Sequence, residues 1–131
     1  MNWFWRFLGY DALSDLARKH FDRYQSWFIK LTPCDETLDV TLTVRIRAFG
    51  READKQSVWD QDWRTKYPDW GPAAAGVTVS SKVPEVWCDM RITKAGLVIN
   101  PAVLGHEMLH VLKLKDKQVC NPDLLVDEDI Y

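Results

Sequence analysis

Between Asp11 and Leu31 the apolar residues Leu13, Leu16, Ala17, Phe21, Tyr24, Trp27, Phe28 and Leu31 recur at three- and four-residue intervals. That is the stripe an α-helix turns towards a core. Asp11 or Ser14 suits its start, and Thr32-Pro33 its stop, because the residue before a proline is pushed out of helical geometry. His20 lies beside the stripe, where a boundary packing role is the ordinary expectation. Residues 38–49, LDVTLTVRIRAF, alternate instead. Leu38, Val40, Leu42, Val44, Ile46 and Ala48 share one face and Asp39, Thr41, Thr43, Arg45 and Arg47 the other, which predicts a strand buried on one side.

From Gly50 to Gly76 the chain has no clear period and carries WDQDW at 59–63 and YPDWG at 67–71. It reads as a long connection with a short helix around Val58 to Lys66, its tryptophans anchoring the segment on the core or lining a groove. Strand-like runs follow at Val77 to Ser80 and Glu85 to Ile92, then a turn at Lys94-Ala95-Gly96 and a short strand Leu97 to Ile99. Asn100-Pro101 is a helix start, since asparagine caps and proline at the first helical position lacks an N–H that would have no partner anyway. The expected helix covers 101–113. One early helix, several strands and one late helix predict an α+β fold around a small mixed, twisted sheet.

The chain has 131 residues, of which 47% are hydrophobic, enough for one core, so a single domain over 1–131 is expected. Seventeen basic against nineteen acidic residues give a net charge of -2 without a concentrated basic face, which argues against a nucleic-acid partner. No apolar run approaches a membrane span. The aromatic start, with Trp3, Phe4, Trp5, Phe7 and Leu8, is a poor secretion signal, and packing back on the domain is its commoner role. Cys34, Cys88 and Cys120 are odd in number and widely spaced, which fits a reducing compartment. A cytoplasmic protein is expected, and the small size suits a phage or mobile element.

The chemistry is concentrated in LGHEMLHVLKLKD, residues 104–116. On a helical wheel Leu104, Met108, Leu109, Val111 and Leu112 spread over one broad side, expected to be buried. His106 and His110 fall about 40° apart on the opposite side, with Glu107 about 60° beyond His110. Two imidazoles at i and i+4 converge on one tetrahedral zinc, and the carboxylate then stands beside the ion without binding it. Such a zinc keeps a position for water, lowers its pKa towards 7 and polarises a carbonyl, while the carboxylate moves the proton.

VLGHEMLHVL, residues 103–112, resembles the active-site helix of the HExxH zincin metallopeptidases. The resemblance implies a minimal zincin-like domain and a zinc-dependent peptidase acting on a peptide or protein. It implies His106 and His110 as ligands and Glu107 as general base and acid. It also implies a substrate laid along an edge strand, expected to be Glu85 to Ile92. Asp116, ten residues after His106, is the expected third ligand, since HEMLHVLKLKD is similar to the HExxHxxGxxD spacing of snapalysin-like and metzincin-like proteases. Lys113 replaces the glycine of that pattern, and no methionine follows residue 108 to make a Met-turn.

If the helix runs on regularly, Asp116 points about 140° away from His110. Asp123, Asp127, Glu128, Asp129 and Cys120 are the other candidates for the third ligand. Tyr67 and Tyr131 are candidates to polarise a carbonyl. The competing expectation is a non-catalytic binding or assembly module that uses the aromatic N-terminus and the Trp-rich segment.

Overall fold

The computed structural model describes residues 15–126. The N-terminal aromatic segment, Asp11, Ser14, the side chain of His20, and Asp127, Glu128, Asp129 and Tyr131 lie outside what it describes. The fold is α+β. Helix α1 (Asp15–Ile29) is followed by strand β1 (Arg45–Phe49) and helix α2 (Glu52–Trp59), which continues into a π-helical turn at Asp60–Arg64. Strands β2 (Gly76–Val79), β3 (Glu85–Thr93) and β4 (Gly96–Ile99) lead to helix α3 (Pro101–Lys115) and the short α4 (Asp123–Val126). No helix among the described residues is long and apolar enough to cross a membrane.

The sheet is mixed, in the order β1-β3-β2, with β4 also paired to β3. β1 runs parallel to β3 with Arg45 opposite Glu85, and β2 runs antiparallel with Val79 opposite the same residue. β4 returns antiparallel on the later half of β3, from Met90↔Ile99 to Thr93↔Gly96, through a turn where Gly96 takes φ 127°. That backbone conformation disfavours any side chain. Because β3 is bonded on both sides over Glu85–Cys88, it is the central strand and not the expected edge. Among the described residues, the edge next to α3 belongs to β2.

The period of two along the strands divides the core. On one face Trp87 and Val79 are buried with Trp59 and Ala73, joined by Phe49, Val58, Trp63, Trp70 and Val77. On the other, Val86 and Cys88 are buried against Val111 of α3, joined by Leu42, Val44, Ala48, Ile99, Val103, Leu104 and Met108. Helix α2 therefore covers one face and α3 the other, a layered solution that hides both sides of the sheet. The Trp-rich stretch belongs to the first layer. Trp59 is buried, and Trp70 stacks on Trp59, Trp63 and Tyr67 at centroid distances of 5.7, 5.6 and 4.5 Å.

Two further segments, residues 38–44 and helix α2, differ from expectation. Residues 38–44 keep their alternation, with 40, 42 and 44 half-buried between exposed neighbours, but they form no ladder. Their partner is missing because β3 begins at Glu85, after a proline that has no N–H to give. Helix α2 starts at Glu52, earlier than the expected Val58, because its buried face is Lys55 and Trp59 and a lysine reads as polar in a hydrophobic period. Lys55 is fully buried, with its ammonium 2.7 Å from Asp89 Oδ1, 2.7 Å from the Ala74 carbonyl and 3.2 Å from Glu52 Oε2.

Candidate metal centre

Helix α3 begins as its sequence predicts: the Asn100 side chain accepts from the amides of Ala102 and Val103, with Pro101 in the first turn. It runs on past the expected Lys113 to Lys115. Its line of Val103, Glu107 and Val111 faces the sheet, and Glu107, about 60° beyond His110 on the wheel, is buried with Val111. Close approach of β2 makes this possible. A Cβ on Gly76 would lie 2.3 Å from Val103 Cγ1 and 3.3 Å from Glu107 Cγ, so only glycine lets the strand sit this near the helix.

The next inward residue of β2 is Thr78. Its hydroxyl is 3.1 Å from the Glu107 backbone carbonyl and 3.3 Å from Glu107 Oε2. Burial pushes the Glu107 carboxyl above the usual carboxylate range, although the neighbouring His110 and His106 and the Thr78 hydroxyl draw it back. A buried carboxylate held on one oxygen, with its proton affinity raised by burial, suits a proton carrier.

His106 and His110 project together, one turn apart, with ring centroids 5.2 Å from each other and planes at 73°. Asp123 meets both, its Oδ1 accepting from His106 Nε2 at 2.9 Å and from His110 Nε2 at 3.1 Å. Desolvation pushes the Asp123 carboxyl up, but the hydrogen bonds from the two imidazoles and their charges outweigh it and hold the group below its usual range. These are the three side chains among the described residues whose Nε2, Nε2 and Oδ1 atoms converge as metal ligands do, all within 4.8 Å. A tetrahedral ion with bonds of about 2.0–2.1 Å needs ligand atoms about 3.3 Å apart, so Asp123 Oδ1, at 2.9 and 3.1 Å from the two Nε2 atoms, would withdraw by a few tenths of an ångström to take its place on one. Two imidazoles and one carboxylate are also a donor set that zinc takes.

Asp116, the expected third ligand, is not in this group. The helix does not end at residue 113, so Asp116 caps it from an extended conformation, and its Oδ1 accepts from the Gln118 amide at 2.9 Å. Cys120 is likewise outside the group; it is exposed, with its thiol donating to the Asn121 carbonyl at 3.2 Å. Tyr67 is held in the aromatic stack over Trp63 and Trp70 and does not line the cavities beside the histidines.

Those cavities flank Glu107. The larger, about 600 Å³, opens between β2, α3 and the segment returning to α4, and is lined by Thr78, Glu107, His110, Lys113 and Asp123 among others. The smaller, about 280 Å³, lies on the His106 side, against Gly76, Ala102 and Val103. The converging side-chain atoms thus border open space beside a buried carboxylate and a strand edge that is unpaired among the described residues. Compared with protein-family models, curated proteins and solved structures, the chain matches none.

Proposed function

We propose that this chain is a zinc-dependent peptidase of zincin-like design, with His106, His110 and Asp123 as metal ligands and Glu107 as general base and acid. The observation that carries the reading is the meeting of both Nε2 atoms with Asp123 Oδ1 beside a buried Glu107, in a cavity that runs along β2. Zinc held there would lower the pKa of a water towards 7 and polarise a substrate carbonyl. Glu107, braced on Oε2 by Thr78, takes the proton of the attacking water and returns it to the leaving amine. The outer edge of β2 offers main-chain groups to an extended peptide, which would pair with it as an added strand.

Metal analysis of the purified protein tests the first half: about one equivalent of zinc is expected, lost in His110→Ala. Hydrolysis of fluorescein-labelled casein tests the second, and Glu107→Gln should abolish it while zinc stays bound. Metal-free protein, or undiminished cleavage by Glu107→Gln, would reject the proposal. Zinc binding without hydrolysis would favour a binding or assembly module built on the same centre.

A further inference from the structure

Asp123 meets the histidines at the end of a return loop, and Lys113 reaches across that loop. In HExxHxxGxxD chains a glycine at this position lets the backbone leave the helix. Here the helix continues for two more residues and the Lys113 side chain reaches across the return. Its ammonium donates to the carbonyls of Val119 at 3.1 Å and Lys117 at 3.3 Å. The loop turns on Asp116, whose carbonyl accepts from the Val119 amide at 3.1 Å. It ends on the fully buried Pro122, and Asn121 Oδ1 accepts from the Asp123 amide at 3.0 Å.

From this geometry we infer that Lys113 is a positioning residue for the third metal ligand, clamping loop 116–122 so that Asp123 arrives over His106 and His110. The inference rests on the metal-binding reading above. A lysine suits the task because its ammonium carries three donors on a long stem, enough to satisfy two carbonyls of a loop that forms no ladder of its own. It stands one turn after His110 and lines the same cavity, so the clamp and the ligand share one wall.

The test is zinc affinity, measured by competition with a chromophoric chelator on the full chain, together with the visible spectrum of the cobalt(II)-loaded protein. Lys113→Met should weaken zinc by about 10–100-fold, the range typical of outer-shell changes, and should alter the cobalt bands. Lys113→Arg, which keeps a charged donor with similar reach, should restore most of the affinity. Lys115→Met, on the exposed side of the same turn, should change nothing. In an Asp123→Ala background Lys113→Met should have no further effect, because the clamp acts through that carboxylate.

Equal affinity and equal spectra in wild type and Lys113→Met would overturn the inference, as would a full loss that persists without Asp123. Should Lys113→Met fail to fold, Lys113→Gln, with a shorter neutral donor, should give an intermediate loss, and wild-type affinity there would overturn the clamp. Failure of the wild type itself to bind zinc would instead remove the metal reading on which the clamp depends.

Discussion

Gly76→Ala is the sharpest perturbation the structure offers. The added methyl would sit 2.3 Å from Val103 Cγ1, where carbon atoms prefer about 3.5–4.0 Å, so strand and helix must part by about 1.2 Å or more. Val103 cannot swing aside cheaply, since a β-branched side chain in a helix has one strongly favoured rotamer. Overpacking of this kind costs about 1–3 kcal/mol, and the shortfall here argues for the upper half of that range. With a urea slope of about 2 kcal/mol/M, the unfolding midpoint should fall by about 1–1.5 M. Gly105→Ala is the control: nothing lies within 4 Å of its Cβ position, and it sits on the exposed side of α3. Replacing a helical glycine there should raise stability by about 0.5–1 kcal/mol. Chemical denaturation followed by tryptophan fluorescence reads both. A Gly76→Ala midpoint within about 0.3 M of wild type, at unchanged slope, would show that β2 does not sit against α3 as described.

The ligand assignment separates two aspartates: Asp123→Asn should lower zinc affinity at least about 10-fold, whereas Asp116→Asn, which keeps the oxygen that receives the Gln118 amide, should leave it unchanged. Differential scanning calorimetry should show the same contrast, because zinc at about 100 times its dissociation constant adds about 2.7 kcal/mol to a protein that binds it only when folded. Thiol labelling at pH 8 should modify the exposed Cys34 and Cys120 in the native protein and Cys88 only after denaturation. Burial pushes the Cys88 thiol above its usual range, with the charges of Asp89 and Glu107 acting the same way and Lys55 opposing them. A neutral thiol favoured by the fold contributes stability below the unfolded pKa of about 8.5, lost as pH rises through the folded value, so Cys88→Ser should flatten the decline in the urea midpoint at alkaline pH.

Local chemistry made some of the fold legible. Asn100-Pro101 marked the start of α3, the turn at Lys94-Ala95-Gly96 marked the hairpin, and the i, i+4 spacing of His106 and His110 marked the rings that meet. What escaped was decided by tertiary partners. Helix α2 hid because a core position holds Lys55, whose charge is cancelled by groups 3, 19 and 34 residues away. The burial of Glu107 was not legible because a carboxylate reads as solvent-facing, while here the sheet offers it a hydroxyl on Thr78. The third member of the converging group could not be chosen from spacing, since the path from Lys115 to Asp123 is a loop that takes hydrogen bonds from the Lys113 ammonium and ends on the buried Pro122.

The enclosed ammonium of Lys55 has one more consequence. It ties α2, the segment leading into β2 and the centre of β3 to a single charge that has no water to fall back on. Peeling Ala74 away would remove one of the three acceptors that surround this buried charge, so the approach to β2 has no inexpensive partial opening. The backbone amides of that strand that point towards β3 should therefore trade hydrogen for deuterium only when the whole molecule unfolds, unlike those on its outer edge.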